Sequence, residues 1–278
     1  MRTKVALVTG ASSGIGESAA RHLKEAGFTV YAAARRVERM AGLRDAGVHT
    51  IALDVTDDRS AQAAVAQILA EQGHIDVLVN NAGYGSYGAL EDVPLTEAQA
   101  QLDVNVLGLA RMAQLVLPPM RAQRSGTIIN IASMGGNFTT PLGAWYHASK
   151  YAVEALSDAM RMELAPFGID VVVIEPGSIR TEWGGIAAAK VLETSGRGAY
   201  RKQAEQVSAV LGRTSVPGAR MTSPADVVAR AITTAATSRR PRTRYRIGFG
   251  AKPLFFAHRI LPARVFDRLI QRGMGIGG

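Results

Sequence analysis

A glycine-rich turn near the start of the chain constrains the fold more than any other feature. It follows the apolar run Val5 to Val8, which is typical of a strand buried on both faces of a parallel sheet. The turn spans Thr9 to Gly16, and a helical pattern continues to about Ala26. Glycines let a backbone approach a pyrophosphate closely, and the start of a helix attracts the anion through its free N–H groups and its dipole. The strand, turn and helix therefore predict a dinucleotide site rather than a plain turn.

Similar short apolar runs recur along the chain, separated by helical patterns. They cover Phe28 to Ala33, Val48 to Leu53, Ile75 to Val79, Thr127 to Ala132 and Ile169 to Ile174, and Arg244 to Phe249 alternates as a half-buried strand does. This alternation predicts an α/β fold, a Rossmann-type doubly wound parallel sheet of about seven strands with helices on both faces. In such a fold the ligand lies at the carboxyl ends of the strands.

Composition narrows the class of protein. With 278 residues, of which 47% are hydrophobic, the chain can bury one large core, and we expect one domain over residues 1–250. The absence of cysteine excludes disulfides and thiolate metal sites and fits a reducing, cytoplasmic environment. The five histidines have no ligand-like spacing, so no metal is expected. The sequence has no apolar stretch of about eighteen residues, which argues against a membrane-spanning helix.

The net charge of +9 is concentrated at one end of the chain. Residues 239–278 hold ten of the 32 Lys and Arg residues and one of the 23 Asp and Glu residues, so the rest of the chain has 22 of each sign. A uniformly basic surface is therefore not indicated, and no nucleic-acid partner is expected.

A tyrosine and a lysine four residues apart form the centre of the predicted active site. Tyr146 and Lys150 fall on one face of a predicted helix from about Trp145 to Ala165, so both side chains can reach one pocket. An ammonium group stabilises phenolate and would lower the pKa of Tyr146 from about 10 toward the working pH. Tyr146 would then serve as acid or base for an alcohol or carbonyl. Ser133, at the end of a buried strand, would hold the same substrate oxygen.

The end of the second strand indicates which dinucleotide is bound. Sites that prefer NAD usually place an acidic residue there, where it bonds the adenosine ribose hydroxyls. This chain has Ala34, which cannot repel a 2′-phosphate, followed by Arg35 and Arg36, which can contact one. We therefore predict NADP(H) rather than NAD(H). The alternative is that both arginines are solvated residues at a helix start.

Three other strand ends carry candidate cofactor contacts. The third strand is followed by a carboxylate that would lie beside the adenine, and the fourth by asparagines that can tie strands together and small residues that leave room for the cofactor. The sixth is followed by backbone groups and a threonine hydroxyl available to the nicotinamide amide. These residues are Asp54, Val55, Asn80, Asn81, Ala82, Gly83, Pro176, Gly177, Ile179 and Thr181. An ordinary turn remains the alternative at each position.

Asn105 lies inside a long predicted helix that runs from Thr96 toward Met120 and is otherwise apolar around it. Asparagine is a middling helix former that competes for backbone hydrogen bonds, so this position suggests a polar task. Asn105 would hold a water that relays protons to Lys150; the alternative is a core asparagine with satisfied hydrogen bonds.

Together these motifs resemble the short-chain dehydrogenase/reductase family, in its order and at its usual spacing, over roughly residues 4–249. The resemblance implies that Tyr146 is the acid/base and that Lys150 lowers the pKa of the tyrosine and holds the nicotinamide ribose. It also implies that Ser133 donates to the substrate oxygen and that Asn105 serves the water relay.

The resemblance further implies which residues contact the cofactor and how the chain associates. The implied contacts are Gly10, Ser12, Ile15, Arg35, Asp54, Asn80, Ala82 and Thr181. Neighbouring residues complete the predicted set: Ser13, Gly14, Gly16, Arg36, Val55, Gly83, Tyr146, Lys150, Pro176, Gly177 and Ile179. A homodimer or homotetramer, joined through the helices that hold Asn105 and Tyr146, is also implied by the resemblance.

These residues predict an NADP(H)-dependent oxidoreductase that interconverts a carbonyl and an alcohol by hydride transfer. The substrate is expected to be a hydrophobic small molecule, since several apolar residues could line its pocket: Tyr84, Tyr87, Phe138, Leu142, Trp145, Trp183 and Met221. Two alternatives remain. One is a carrier-bound 3-oxoacyl reductase whose basic residues dock an acidic carrier, and the other is a non-catalytic NADP-sensing protein.

Two segments lie outside the main pattern. Residues 182–222, rich in Gly, Ala and charge, are predicted to form a mobile substrate lid. Residues 251–278 form a basic amphipathic extension in which Arg264, Arg268 and Arg272 fall on a different face from the apolar stripe. This extension either rests on an anionic membrane surface, which would make the protein peripheral to the membrane, or packs over the substrate mouth or a neighbouring subunit.

Overall fold

Parallel strands form the centre of the molecule. The computed structural model describes residues 2–216 and 218–276. Its strands are β1 (Val5–Thr9), β2 (Thr29–Ala34), β3 (His49–Ala52), β4 (Val77–Asn80), β5 (Gly126–Ile131), β6 (Ile169–Pro176), β7 (Ile179–Arg180), β8 (Ser223–Pro224) and β9 (Arg244–Ile247). Within the described residues, seven of them form one parallel sheet in the order β3-β2-β1-β4-β5-β6-β9, and β7 pairs with β8.

Helices connect the strands. They are α1 (Gly14–Glu25), α2 (Ala41–Asp45), α3 (Asp58–Gln72), α4 (Leu95–Leu102), α5 (Leu109–Ala122), α6 (Ala144–Leu164), α7 (Glu182–Ser195), α8 (Arg201–Arg213), α9 (Ala225–Thr237), α10 (Ala251–Ile260) and α11 (Ala263–Gly273). A π-helical turn, Asp103–Gly108, joins α4 to α5 without a break in the chain's helical course. The single long helix expected from Thr96 is therefore two helices and a π turn.

The first strand is buried on both sides of the sheet, as its unbroken apolar sequence predicts. Ala6 and Val8 belong to one core cluster together with residues of α1 and α9, while Val5 and Leu7 belong to the opposite cluster with residues of α3 and α5. Side chains alternate across a strand, so this one run supplies both core layers. The predicted doubly wound α/β fold is confirmed.

The direction in which strands are added reverses beside β1. From β1 the chain adds β2 and β3 on one side, and then β4, β5, β6 and β9 on the other. Loops that leave β1 and β4 at their carboxyl ends diverge, and a crevice opens between them; ligands bind at such a point in open α/β sheets. The glycine-rich turn follows β1 and therefore lies at this crevice.

The segment between β7 and α9 contains helices that the sequence analysis did not predict. Residues 182–222 were expected to form a lid, with no helix predicted within it, yet they contain α7 and α8, which pack against each other. Small residues explain the close packing, because a Cβ added at Gly184 would collide with the Thr214 hydroxyl of the opposite helix end. The helix expected from Ser223 begins two residues later, since Ser223–Pro224 pairs as β8.

A third apolar cluster lies apart from the two sheet-flanking layers. It combines residues of α7 and α8 with Phe138, Tyr146 and inner residues of α10 and α11, among them Leu254 and Phe266. The two helical patterns expected after residue 250 are thus real helices, and their inner faces pack on the protein.

Candidate active site

Helix α6 carries the tyrosine and the lysine of the predicted centre on one buried face. The Lys150 Nζ lies 6.0 Å from the centroid of the Tyr146 ring, and both side chains are less than a tenth exposed. A spacing of four residues brings them to the same side of the helix. The Lys150 ammonium donates to the Ile131 carbonyl at 2.9 Å, so it is anchored to the end of β5 and does not bond the phenol directly.

The pKa of Tyr146 moves in the direction opposite to the sequence prediction. Burial raises it to about 12, and a hydrogen bond with Ser133 opposes this rise. The pKa of Lys150 is lowered to about 8 by burial, which the Glu154 carboxylate partly offsets. Desolvation disfavours the charged form of both groups and is the main cause of both shifts. The phenol is therefore neutral at pH 7, and Lys150 titrates much closer to neutrality than an exposed lysine.

Ser133 is held by the turn that follows β5. Its hydroxyl accepts from the Gly135 N–H at 3.0 Å and caps the short 3₁₀ turn Met134–Gly136. The two glycines of this turn are required by close packing on α6: a Cβ on Gly135 would lie 2.8 Å from His147 Nδ1, and one on Gly136 would lie 2.9 Å from the Lys150 carbonyl oxygen. Their small size brings Ser133 next to Tyr146.

His147 fixes the same turn, and the sequence analysis assigned it no function. Its Nε2 accepts from the Thr140 N–H at 3.0 Å, so its Nδ1 carries the proton and donates to the Gly135 carbonyl at 2.9 Å. Burial lowers the pKa of His147 and keeps the ring neutral. Its place next to Tyr146 was the available signal, but only the fold reveals which groups its two nitrogens bond.

Asn105 lies in the π-helical turn, a form that often marks functional sites. Its amide bonds both backbone groups of Tyr84, accepting from the N–H at 3.0 Å and donating to the carbonyl at 2.9 Å. A Cβ on Gly83 would lie 3.1 Å from the Asn105 Oδ1 and 3.8 Å from the Lys150 Nζ. The asparagine and the lysine therefore face the same glycine, which leaves space between them.

A buried charge cluster lies under the centre. Glu154, one helical turn after Lys150, accepts from Arg244 at 3.1 Å, and the fully buried Glu175 accepts from Arg246 at 3.0 Å. Burial and the nearby Glu175 raise the pKa of Glu154 to about 7. Both arginines belong to β9, so this strand completes the support of α6.

The glycine-rich turn fits a dinucleotide. A Cβ on Gly10 would lie 2.8 Å from the Ala82 Cα, and one on Gly14 would lie 3.2 Å from the Thr181 methyl carbon. Both glycines have positive φ, at 64° and 58°. The first turn of α1 has no side-chain cap, because Ser13 makes no capping bond, so its N–H groups remain available to an anion. The loops after β1, β4 and β6 thus converge at the crevice.

Arg35 and Arg36 follow β2 beside this turn, and both are exposed. Neither forms an ion pair within the portion of the chain that the structure covers. Asp54, at the end of β3, accepts from the Thr56 N–H and hydroxyl at 2.9 and 2.7 Å. Although burial acts in the other direction, these bonds and the charge of Arg35 lower the pKa of Asp54. Its neighbour Val55 packs against Gly108.

Some residues predicted to contact the cofactor also have structural contacts within the protein. Asn80 is buried and donates to the Asn130 side chain at 3.0 Å, which ties β4 to β5 as expected for an asparagine there. Gly177 crosses the backbone of Phe249 too closely for any side chain. Asn81, by contrast, donates to the Thr9 and Gly10 carbonyls at 3.0 and 3.1 Å and braces the glycine-rich turn.

An aromatic cover lies over the phenol. The Trp183 ring centroid is 5.1 Å from that of Tyr146 and 6.0 Å from that of Tyr87, and Tyr87 is 5.5 Å from Tyr146. Phe138 and Leu142 belong to the same cluster. Tyr84 and Trp145, also predicted to line the pocket, are not among its members, and Met221 is 68% exposed. The predicted apolar lining is thus only partly brought together.

Comparison with known proteins identifies the family. A family model described as short chain dehydrogenase matches residues 4–190, a range that includes the four predicted catalytic residues. This chain belongs to the short-chain dehydrogenase family. A solved short-chain dehydrogenase from Streptomyces avermitilis superposes with a TM-score of 0.79 at 33% identity, covering 97% of this chain and 95% of that one.

Two curated relatives of this short-chain dehydrogenase carry specific names. A 3-ketodihydrosphingosine reductase from Bacteroides thetaiotaomicron is 43% identical over 181 residues, 65% of this chain and 66% of that protein. An NADPH-dependent 3-dehydrocapnine reductase from Ornithobacterium rhinotracheale is 33% identical over 284 residues, 98% of this chain and 97% of that protein. The second alignment includes α8 to α11 of the dehydrogenase, which the family model does not reach.

Two features are absent from residues 2–216 and 218–276 of the short-chain dehydrogenase. No helix there is long and apolar enough to cross a membrane. Nor does that part of the chain bring three or more His, Cys, Asp or Glu side chains together as a metal site would require.

Proposed function

We propose that this short-chain dehydrogenase reduces a ketone or aldehyde on a hydrophobic small molecule with NADPH, and catalyses the reverse oxidation with NADP⁺. The observation that carries the proposal is the arrangement around Tyr146. The Ser133 hydroxyl acts on its phenol and lowers its pKa, and Lys150 Nζ lies 6.0 Å from the centroid of its ring. Both groups lie at the sheet edge where the glycine-rich turn lies. A neutral phenol with a hydrogen-bonding hydroxyl beside it is a proton donor for a carbonyl oxygen.

The cofactor is NADP(H). Arg35 and Arg36 present two exposed guanidinium groups at the end of β2, and no acid takes the place of Ala34. A 2′-phosphate would receive charge-assisted hydrogen bonds there. The NADPH dependence in the name of the full-length Ornithobacterium relative supports the same choice.

The proposed reaction divides its tasks among three side chains. Bound NADPH supplies the hydride that reaches the carbonyl carbon. Tyr146 donates its phenolic proton to the carbonyl oxygen, and Ser133 holds that oxygen while negative charge develops on it. Lys150 stabilises the phenolate left behind and binds the nicotinamide ribose. Its lowered pKa, about 8, suits it to return a proton.

Proton return runs along the side of Gly83. Asn105 Oδ1 and Lys150 Nζ both lie within 4 Å of the position of a Cβ on this glycine. A water held there by Asn105 would pass a proton to Lys150. Any side chain at position 83 would fill this space, so the proposed water site requires glycine there.

The remaining parts of the chain have proposed roles as well. Residues 1–250 form the dehydrogenase domain, in which 182–222 act as a lid that brings Trp183 over the phenol. Residues 251–278 form a C-terminal extension. The family resemblance also favours a homodimer or homotetramer through α5 and α6, where Tyr151 and Met162 are 42% and 68% exposed. A single monomeric species in sedimentation velocity would contradict that assembly.

A carrier-bound 3-oxoacyl substrate is the second candidate. The free ketone is favoured by the cluster around Tyr146, which presents aromatic and aliphatic side chains. It is also favoured by the names of the two relatives, a 3-keto and a 3-dehydro reductase. The non-catalytic alternative has no feature in its support, since the tyrosine, lysine, serine and asparagine are all retained.

One assay separates these candidates. NADPH oxidation is followed with 3-ketodihydrosphingosine, simple aliphatic ketones and aldehydes, and 3-oxoacyl thioesters. We expect turnover with a hydrophobic ketone, loss of turnover in Tyr146→Phe with NADPH binding retained, and wild-type turnover in Tyr151→Phe, a control on the exposed side of the same helix. Turnover of thioesters alone would favour the carrier-bound substrate. Bound NADPH with no turnover of any compound would favour the sensor.

A further inference from the structure

Helices α10 and α11 keep several large apolar side chains exposed on their outward side. These side chains are Phe256, Ile260, Val265 and Leu269, exposed by 66%, 58%, 46% and 44%. Exposed basic residues lie among them: Lys252, Arg259, Arg264, Arg268 and Arg272. We call these nine residues the C-terminal face.

The C-terminal face is separate from the side of the helices that holds them to the protein. Phe266 and Ile270 of α11, and Met274 just after it, are buried in the cluster that includes Tyr146. Phe255 of α10 is buried too, with its ring centroid 6.3 Å from that of Phe138 in the same cluster. Their spacing of four residues places those of α11 on one stripe, and Val265 and Leu269 fall on another side of the same helix. Folding therefore requires the inner stripe, and burial of the outer one needs an external partner.

Charge and apolar surface coincide on α11. At 100° per residue, Arg268 and Arg272 project within about 100° of Val265 and Leu269. The single acidic residue of the extension, Asp267, projects toward the edge of the buried stripe instead. In the part of the chain that is described, none of Arg264, Arg268 and Arg272 forms an ion pair, so their charges are uncompensated.

We propose that the C-terminal face docks on an anionic phospholipid surface. An amphipathic helix with basic residues beside large apolar ones lies in the membrane interface, where the apolar side chains enter the acyl boundary and the arginines meet headgroup phosphates. The net charge of +9 over the whole chain arises from residues 239–278, and five of the ten basic residues in that range belong to the C-terminal face. Docking of this kind needs no membrane-spanning segment.

Two other occupants fit the C-terminal face less well. A second copy that paired through the same surface would bring five positive charges against five, which repel each other across a two-fold interface. An acidic carrier protein would neutralise the arginines but would leave Phe256 and Ile260 without an apolar partner. Only a lipid surface offers negative charge and an apolar layer together.

Docking would also orient the candidate active site. The inner stripes of α10 and α11 contact the cluster that holds Trp183 and Tyr146. Given the proposed function, a hydrophobic ketone dissolved in the lipid would then be on the side of the protein where that cluster lies. The docking itself does not depend on the proposed function.

Sedimentation with vesicles tests the proposal. The full chain is spun with vesicles of phosphatidylcholine alone or of phosphatidylcholine mixed with phosphatidylglycerol. We expect co-sedimentation with the mixed vesicles only, weakened by high salt. The double variant Val265→Ser, Leu269→Ser and the triple variant Arg264→Gln, Arg268→Gln, Arg272→Gln should each lower the partition coefficient at least about tenfold, since each arginine near an anionic surface adds measurably to binding.

A matched control removes three positive charges from residues outside the C-terminal face. Arg239, Arg240 and Arg242 are exposed in the loop before β9, outside the C-terminal face. Changing these three to Gln should leave vesicle binding within about twofold of wild type if the face, rather than net charge, is responsible. Circular dichroism and thermal unfolding verify that all variants fold, as expected for exposed positions.

Several outcomes would overturn the proposal. Equal sedimentation of wild type and both face variants would show that other residues bind the lipid. Absence of binding to the mixed vesicles would exclude a lipid partner. A change of oligomeric state in the face variants without vesicles would identify a second copy as the occupant, and retention on an immobilised acidic acyl carrier protein without vesicle binding would identify a carrier.

Discussion

The indole of Trp183 lies against the ring of Tyr146, with 5.1 Å between the ring centroids. Trp183 is the second residue of α7, so the position of that helix decides how deeply the phenol is buried. Burial is the main cause that raises the pKa of Tyr146 to about 12. The acidity of the proposed proton donor therefore depends on the segment that covers it.

Removing the Trp183 indole should make the Tyr146 phenol more acidic. In Trp183→Ala we expect the pKa of Tyr146 to fall from about 12 toward its ordinary value of about 10, because water reaches the ring. The lost packing should cost about 1–3 kcal/mol of stability. Ultraviolet titration of tyrosinate, with Tyr146→Phe to assign the signal, measures the shift. Trp183→Phe, which keeps a ring, should change it less.

A second variant should also expose the Tyr146 phenol to water, without removing the tryptophan. A Cβ on Gly85 would collide with the Trp183 indole, so Gly85→Ala should push the indole away. An unchanged Tyr146 titration in both Trp183→Ala and Gly85→Ala would show that α7 does not control the acidity of the phenol.

Lys150 should make stability rise with pH in the alkaline range. Its pKa is lowered from 10.5 to about 8 in the folded protein, so between these values the unfolded chain binds more protons and folding is favoured as pH increases. Below pH 8 the buried charge costs up to about 3 kcal/mol. Lys150→Met should be more stable at pH 7, by less than this cost because the Ile131 carbonyl loses its donor.

Urea unfolding from pH 7 to 10 measures this effect. The rise between pH 8 and 10 should be present in wild type and absent in Lys150→Met. Lys202→Met, at an exposed position of α8, is the control and should keep the wild-type slope. A slope that survives in Lys150→Met would mean that another group causes it.

His147 should make the protein less stable in mild acid. Burial lowers its pKa below the ordinary 6.5, so as pH falls below about 6.5 the unfolded chain takes up a proton that the folded protein resists. Stability is then lost toward low pH, and His147→Gln should flatten this part of the profile. The variant should also lose about 1–3 kcal/mol at pH 7, because its bonds to Gly135 and Thr140 are disturbed.

The same variant tests whether the turn positions Ser133. Loosening the turn should lower kcat more than it raises KM for the carbonyl substrate, since the serine acts mainly as charge develops on the oxygen. Thermal unfolding from pH 5 to 8 gives the stability profile, with His49→Gln on the exposed edge strand as control. An unchanged kcat would leave His147 with a purely structural role.

Arg35 and Arg36 should discriminate between the two dinucleotides. Changing both to Ser removes the proposed contacts to the 2′-phosphate, and we expect NADPH to bind about 10- to 100-fold more weakly while NADH binding stays the same. Fluorescence titration of each nucleotide measures the two constants. Arg44→Ser, an exposed residue of α2, should affect neither. Equal weakening of both nucleotides would assign the arginines to some other contact.

Local spacing was sufficient to predict much of the fold and several members of the candidate site. Apolar runs of strand length located six strands of the main sheet to within about two residues, because burial on both faces needs an unbroken run. An alternating pattern located β9 equally well, since that strand is only half-buried. The four-residue spacing of Tyr146 and Lys150 placed them on one helix face, because helix geometry depends only on sequence separation. The glycine turn followed from its strand and helix for the same reason.

Long-range contacts decided what spacing cannot reveal. The Lys150 ammonium bonds a carbonyl of β5 rather than the phenol, and Trp183 arrives over Tyr146 from a segment 37 residues later in the chain. Asn80 turned into the core because β5 presents Asn130 beside it. None of these partners is near its counterpart in sequence, so no local pattern identifies them.

The sequence by itself determined the order of the main-sheet strands along the chain, the glycine-rich turn and the residue types available for chemistry, because each depends on short-range sterics and periodicity. Only the tertiary structure decided how those residues behave. It buried Tyr146 and Lys150 enough to move their pKa values to about 12 and about 8, and it left the C-terminal face exposed. Desolvation depends on everything that surrounds a group, and those surroundings are assembled from distant parts of the chain.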